Sequence, residues 1–370
     1  MIQIDFESLR LLGLTPALAQ LAVNFSVNSP LADDPQSVDD LHLMRLTEVH
    51  RETVRVHDGE HEHGVRVLPR LMRELLAADS ALAVGDWVLC GTDTFGEYRV
   101  HARVPPLSNI CRRDADGRRH PVVSNVDTAL LVMGLDDDFN PRRLERYLAL
   151  VQASSVLPVV VLTKADVAAR TPGLIEARIE ALRRRVPAQV ELLAVDGTDP
   201  ATAQRLTTWL APGQTVVVLG SSGAGKSTLT NNLLGSSVQD TGAVRAHDSR
   251  GKHTTTSRSL HRLPGGACVI DTPGLRTLRP DADETTLAVV FEDVNTLAAQ
   301  CRFRDCRHVD EPGCAVREGV EPDRLRNFQK LLREARRDTL TVLEKQQQAA
   351  VWKQRGKAQR ARAKFERGQE

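Results

Sequence analysis

Eight consecutive residues, Gly220-Ser221-Ser222-Gly223-Ala224-Gly225-Lys226-Ser227, fit the pattern G-x-x-x-x-G-K-[ST], with Thr228 following. The glycines let the backbone curl so that its N–H groups converge on phosphate oxygens at the positive end of the next helix. Lys226 supplies a point charge for the β- and γ-phosphates, and the Ser227 hydroxyl is placed to ligate Mg²⁺. The apolar run Thr215–Leu219 before the motif and the helical stretch Ser227–Leu234 after it are the context the motif requires. A nucleotide is implied, with ATP and GTP both open at this point.

Asp271-Thr272-Pro273-Gly274 follows a second apolar run, Ala267–Ile270. A carboxylate at a strand end can hold Mg²⁺ through water, and the Gly274 N–H can meet a γ-phosphate. Between the two motifs lies Thr254-Thr255-Thr256, of which Thr255 is the expected contact to Mg²⁺ and the γ-phosphate. A solvated Thr-rich loop is the plainer alternative.

The base is read from an element that lies upstream of both. Thr163-Lys164-Ala165-Asp166 ends the apolar run Pro158–Leu162. Asp166 can accept hydrogen bonds from guanine N1–H and N2–H₂, a donor pair that adenine lacks, and Lys164 can lay its methylenes along the ring. GTP is therefore favoured over ATP.

Cys301, Cys306, His308 and Cys314 are spaced C-x4-C-x-H-x5-C. Three thiolates and one imidazole suit a closed tetrahedral Zn²⁺ site with no open position for catalysis; three buried free thiols beside a surface histidine are the competing reading. His57, His61 and His63 also cluster, but in a Glu- and Gly-rich stretch that reads as a solvated turn.

These residues need a scaffold. The chain has 370 residues, 41% of them hydrophobic and 26% charged, as expected for two or three globular domains. Lys plus Arg number 49 against 48 for Asp plus Glu, so affinity for nucleic acid has to come from local patches. Two such patches stand out. One is Arg112, Arg113, Arg118 and Arg119; the other is the tail from Asp338, with Lys353, Arg355, Lys357, Arg360, Arg362, Lys364 and Arg367. No apolar run is long enough to span a membrane, and the N-terminus lacks a secretory pattern, so a cytoplasmic protein is expected.

Residues 1–40 read as a weakly ordered extension with one short helix over Ser8–Ala22. Residues 41–115 carry short apolar runs at Val49–Val56, Val65–Leu68, Trp87–Cys90 and Tyr98–Val104, consistent with an oligonucleotide-binding (OB) type of β-barrel. From 122 to 280, buried runs at Thr128–Met133, Val156–Leu162, Val190–Ala194, Thr215–Leu219 and Ala267–Ile270 alternate with helical stretches, the pattern of a doubly wound α/β domain. Residues 281–337 hold two helices around the Cys/His cluster, followed by the basic tail, 338–370.

The order of the elements, Asp166 before Gly220–Ser227, Thr255 and Asp271, resembles the circularly permuted, ribosome small-subunit-dependent GTPases of the RsgA/YjeQ type. Val84-Gly85-Asp86-Trp87, Asn125-Val126-Asp127 and Gly251-Lys252-His253-Thr254-Thr255-Thr256 carry the same resemblance, as does the Cys/His cluster. It extends over about residues 40–335. The chain departs from the family in having Thr163 where Asn is usual, and only Ala194-Val195-Asp196 echoes the fifth guanine element. The resemblance implies a GTP- and GDP-binding, Mg²⁺-dependent hydrolase with one structural Zn²⁺. It further implies a monomer that binds the small ribosomal subunit and its 16S rRNA late in maturation, with hydrolysis stimulated by the subunit and coupled to release. Leu275 stands where many Ras relatives place a water-orienting glutamine, so His253 is the candidate catalytic residue. Two rival readings are a P-loop ATPase or kinase, and an RNA-binding module with a structural nucleotide.

Overall fold

The computed structural model describes residues 2–28, 40–50, 53–93, 95–114, 116–235, 258–274 and 279–339. At the N-terminus, β1 (Ile2–Gln3) precedes α1 (Phe6–Arg10) and α2 (Pro16–Asn28). The expected single helix is broken in two: Thr15 Oγ1 caps the second helix by accepting the Leu18 N–H, and Pro16 occupies its first position. Leu9, Leu12, Leu14, Leu18 and Ala22 are buried, and β1 pairs with the first barrel strand. Residues 2–28 are thus packed into the core instead of weakly ordered. Their leucines were a legible signal that the Pro- and Asp-rich stretch after them obscured.

The barrel is built from β2 (Leu41–Val49), β3 (Val54–His57), β4 (Glu62–Val67), α3 (Pro69–Ala77), β5 (Trp87–Thr92) and β6 (Tyr98–Arg103). β2, β3 and β4 form an antiparallel meander, β4 pairs parallel with β6, and β5 pairs antiparallel with both β6 and β2, closing the circle. This is the five-stranded OB arrangement. The sequence run Val49–Val56 proves to straddle the first turn, and Leu41–Val49 supplies the strand before it. α3, unanticipated, buries Leu71 and Leu75, one helical turn apart.

A two-stranded hairpin, β7 (Asn109–Arg113) and β8 (Arg119–Ser124), leads to the α/β unit. There β9 (Thr128–Gly134), α4 (Pro141–Gln152), β10 (Leu157–Thr163), α5 (Ala165–Ala168), α6 (Leu174–Arg183) and β11 (Glu191–Ala194) precede α7 (Ala201–Arg205), β12 (Thr215–Gly220), α8 (Lys226–Leu234), β13 (Ser259–Arg262) and β14 (Cys268–Asp271). The spatial order is β11-β10-β9-β12-β14-β13, parallel except for β13. β9 and β12 are fully buried along their length, which is why their sequences read as unbroken apolar runs. Last come α9 (Glu284–Val290), α10 (Glu292–Ala298), α11 (Ala315–Gly319) and α12 (Pro322–Thr339). No helix among the described residues is long and apolar enough to cross a membrane.

The barrel joins the sheet through a buried polar cluster. Asp86 accepts the Ser124 hydroxyl proton (2.6 Å) and the Ala83 N–H (2.8 Å), and Asn125 Nδ2 donates to the Gly85 carbonyl (3.0 Å). Arg45, fully buried on β2, donates to the carbonyls of Leu12 and Asn125 and to Thr215 Oγ1, with its guanidinium over the Trp87 ring at 5.4 Å. Asp127 Oδ2 accepts the Thr215 N–H (2.7 Å), fixing the start of β12. The Val84–Trp87 and Asn125–Asp127 sequences are therefore the two sides of one joint.

Candidate nucleotide site and metal centre

In the sheet, β9 continues through α4 to β10 on one side, while β12 leads to β14 on the other. β9 and β12 are neighbours, so the direction of winding reverses between them. A ligand crevice is expected outside the carboxyl ends of strands at such a point. The strand register puts Thr163 beside Gly134, Gly220 beside Val132, and Asp271 beside Val218, so the ends of β10, β9, β12 and β14 share one edge.

The ends of β10, β12 and β14 each carry one of the motifs. Residues 221–225 turn from β12 into α8, with Gly225 at φ +90°, a left-handed conformation suited to glycine, immediately before Lys226. Lys226 is buried and its Nζ donates to the Ser221 carbonyl (2.7 Å). Burial pulls its ammonium below the usual lysine range, opposed by the charges of Asp271 and Asp138. Asp271 is buried at the end of β14, and Thr272 Oγ1 donates to the Val218 carbonyl (2.7 Å), tying this segment to β12. A Cβ at Gly274 would lie 2.6 Å from the Ser222 amide nitrogen, so only glycine fits against the loop there.

The base element meets the same loop. Thr163 Oγ1 donates to the Ala224 carbonyl (2.6 Å), so the side chain replacing the usual asparagine bonds directly to the phosphate loop. The Ala165 N–H donates to the Val195 carbonyl (3.2 Å), which brings Ala194-Val195-Asp196 against the base element. Asp166 is exposed in the first turn of α5. Residues encoded far apart therefore meet at one edge of the sheet: Thr163 against Ala224 of the phosphate loop, Gly274 against Ser222, and Lys226 within the field of Asp271. Thr255, its neighbours Thr254 and Thr256, and His253 lie outside the described residues, as do Leu275 and the tail beyond residue 339.

Sequence reading missed the loop after β9. Asp136 Oδ2 pairs with Lys164 Nζ (2.7 Å), and Asp138 Oδ1 accepts the Ser221 hydroxyl proton (2.6 Å) while Oδ2 accepts the Gly134 N–H (3.1 Å). Arg143, one turn into α4, also donates to Asp138. One short loop thus braces both the base element and the phosphate loop. Acidic residues after a strand are ordinary turn formers, which left no local signal for this role.

Cys301, Cys306, His308 and Cys314 lie between α10 and α11, with their donor atoms all within 4.8 Å of one another. Cys301 and Cys314 Sγ are 3.9 Å apart, and His308 Nδ1 is 3.4 Å from Cys314 Sγ. Tetrahedral ligands at Zn–S of about 2.3 Å stand roughly 3.8 Å apart, so the cluster fits zinc. The loop is held from outside: the Glu311 carboxylate accepts the Arg307 and Val309 N–H groups (2.9 Å each), and Gln329 Nε2 donates to the His308 carbonyl (2.9 Å). Among the described residues this is the only group of that kind. His63 instead pairs with Asp58 (2.7 Å), and the His57 ring accepts the Gly59 N–H (3.0 Å).

A family model described as RsgA GTPase matches residues 104–280, and one described as 50S ribosome-binding GTPase matches residues 215–351. A Xanthomonas oryzae pv. oryzae protein named small ribosomal subunit biogenesis GTPase RsgA is 45% identical over 295 residues, spanning 78% of this chain and 79% of its own length. A Xanthomonas campestris pv. campestris protein of the same name matches to the same extent. In fold, the chain is similar to YjeQ from Thermotoga maritima, with TM-score 0.55, 22% identity and coverage of 79% of this chain and 98% of that one. It is likewise similar to YloQ, described as a circularly permuted GTPase, with TM-score 0.53, 21% identity and coverage of 83% and 99%.

Proposed function

The chain belongs to the RsgA GTPase family, and from that premise we propose a GTP hydrolase that acts on the small ribosomal subunit late in its maturation. Water attacks the γ-phosphorus, the bond to the β–γ bridging oxygen breaks, and GDP and phosphate leave. Asp166 and Lys164 read the guanine, with Thr163 and Ala165 setting their place. Gly220, Ser221, Ser222, Gly223, Ala224, Gly225, Lys226, Ser227 and Thr228 cradle the phosphates. Ser227 and Thr255 would hold Mg²⁺ and Asp271 would support it, while the Gly274 amide would meet the γ-phosphate. The chemistry Mg²⁺ supplies is neutralisation of charge on the β- and γ-oxygens. His253 orients the water or its proton, and Cys301, Cys306, His308 and Cys314 hold one structural Zn²⁺.

The parts take the divisions read from sequence: extension 1–40, barrel 41–115, GTPase unit 122–280, zinc module 281–337 and basic tail. The barrel, zinc module and tail grip 16S rRNA, the chain acts as a cytoplasmic monomer, and hydrolysis favours release. Because the segment after Gly274 runs directly into residues 281–337, nucleotide state is passed to that module.

One observation carries this reading: the Thr163–Ala224 hydrogen bond joins the upstream guanine element to the downstream phosphate loop. The test is GTP turnover by the purified chain with and without small ribosomal subunits. Stimulation by subunits is expected, and its absence would favour an RNA-binding module with a structural nucleotide. Asp166→Asn should weaken GTP binding, since the amide offers a donor where the carboxylate offers a second acceptor to guanine N1–H and N2–H₂. Equal GTP and ATP affinity in the unsubstituted chain would instead indicate the ATPase or kinase reading. His253→Ala should abolish stimulated turnover while leaving GTP binding intact.

A further inference from the structure

The strand order β10-β9-β12 puts β9 between the strand that ends in the base element and the strand that ends in the phosphate loop. Neighbouring strands stand about 4.8 Å apart, so those two ends are separated by roughly 10 Å. The loop that leaves the middle strand is therefore placed to touch both. Its residues 135–140 include two carboxylates that are only partly exposed, Asp136 and Asp138.

Each of them uses one oxygen inside the loop and the other outside it. Asp136 Oδ1 accepts the Asp138 N–H (3.2 Å), while Oδ2 pairs with Lys164 Nζ (2.7 Å). Asp138 Oδ2 accepts the Gly134 N–H (3.1 Å), while Oδ1 accepts the Ser221 hydroxyl proton (2.6 Å) and a bond from Arg143 (2.5 Å). The inner bonds lock the loop, and the outer bonds reach opposite neighbours, Lys164 after β10 and Ser221 after β12. Further contacts stiffen it. The Phe139 N–H and Arg178 of α6 both donate to the Asp136 carbonyl (3.0 and 3.1 Å), and the Arg178 guanidinium lies 4.9 Å from the Phe139 ring centre. A Cβ at Gly134 would meet Asp136 Oδ1 at 2.3 Å, so glycine there lets the carboxylate fold inward. Lys164 and Arg143 offset the two negative charges, so neither carboxylate repels a nucleotide unopposed.

Ser221 is held twice, its hydroxyl by Asp138 and its carbonyl by Lys226 Nζ (2.7 Å). A lysine that turns to the β- and γ-phosphates releases that carbonyl, and the Asp138 bond then holds the first residue of the loop alone. At the other end, an ammonium tied to Asp136 keeps the Lys164 stem from the many rotamers of a free lysine. We propose that Asp136 and Asp138 are positioning residues for GTP, Asp136 acting through Lys164 on the base and Asp138 through Ser221 on the β- and γ-phosphates. One loop thereby sets the spacing between the two ends of the nucleotide. The inference rests on the base and phosphate roles proposed above and divides them between two residues that touch no nucleotide themselves.

Nucleotide length separates the two roles. GMP, GDP and GTP compete with a fluorescent GDP for the full chain carrying Asp136→Asn, Asp138→Ala, Ser221→Ala or the last two together. Asp136→Asn should weaken all three by a common factor of about fivefold, because each carries the base. It should raise KM for GTP by that factor with kcat unchanged, since a base contact is alike in ground and transition states. Asp138→Ala should weaken GDP and GTP about tenfold and leave GMP, which lacks the β- and γ-phosphates, unchanged. Ser221→Ala removes the same bond without altering the loop after β9. It should reproduce that pattern, and it carries the test alone if Asp138→Ala does not fold. The double variant should bind no worse than the weaker single variant. GMP lost as strongly as GTP in the Asp138 and Ser221 variants would make the loop a structural brace and overturn the proposal. Additive losses in the double variant, a loss in Asp136→Asn that spares GMP, or unchanged binding in either arm would overturn it too. A wild-type chain that binds no guanine nucleotide removes the reading of the site and the inference together, whereas wild-type binding with unaltered variants removes the inference alone.

Discussion

The barrel and the C-terminal helices are both fixed to the central α/β unit, but by opposite chemistry. At the barrel, Arg45, Asp86, Ser124 and Asn125 are all buried and meet mostly backbone groups and hydroxyls. At the other joint, α4 faces α12 through paired charges: Arg142 with Asp323, Arg146 with Glu334 (2.7 Å), and Glu145 with Arg324 (2.8 Å). Arg185 adds Glu321 and reaches Glu145 at 3.4 Å, and Asn327 donates to Glu145. Backbone hydrogen bonds inside a core are indifferent to salt, whereas the outer pairs of the second joint, Arg142–Asp323 and Arg146–Glu334, are screened by it, with only Glu145–Arg324 buried between them. The barrel is therefore a fixed shoulder, and the module carrying the Cys/His cluster is the part whose seating answers to its surroundings.

The contrast can be broken most severely at the Cys/His cluster, through the zinc proposed there. Chelation should unfold the loop between α10 and α11, since ligand thiolates without a cation repel and the loop has little core of its own. Hydrogen exchange should show α11 losing protection while β5, around Trp87, keeps it; simultaneous loss in both would mean the two joints are one cooperative unit. Next in size is Glu145→Ala. It takes one carboxylate from Arg324, which keeps Asp293, and from Arg185, which keeps Glu321, so about 1–3 kcal/mol of stability should be lost in urea unfolding. A loss under about 1 kcal/mol would show that water already serves those arginines.

A pH titration distinguishes the joints more finely. Burial raises the Asp86 carboxyl above the usual range, so over that interval the folded chain holds a proton that the unfolded chain, with a value near 3.9, has lost. Its contribution to stability therefore declines as pH rises from about 4 through the folded value, by no more than about 1.4 kcal/mol per pH unit. Asp86→Asn should remove that slope, and parallel wild-type and variant curves would refute it. The smallest effect belongs to Arg142→Ala. Its side chain is 55% exposed, so little stability should be lost, and that difference should vanish in high salt.

Local chemistry was what the sequence displayed best. Gly220–Ser227, Thr163–Asp166 and the Cys/His cluster are short motifs whose residue types and spacing carry the signal by themselves. The central strands were readable because burial on both faces leaves Val, Leu and Ile runs such as Thr128–Met133. β13 alternates Ser-Leu-His-Arg over four residues and was passed over, as were β7 and β8. Arg45, Asp136 and Asp138 remained invisible because their partners are distant in sequence or unremarkable in type. A run of arginines likewise does not reveal which of them a carboxylate will claim, as Asp281 claims Arg113 and Arg119.

Gly274 touches the phosphate loop, and Arg279 is tied to the hairpin and to α12. Five peptide steps lie between them, at most about 18 Å of extended chain. So short a leash limits how far the glycine can retreat before the arginine must follow. On the role proposed for Gly274, the distance a departing phosphate frees at one end would be a length that the last helix has to give up or resist at the other.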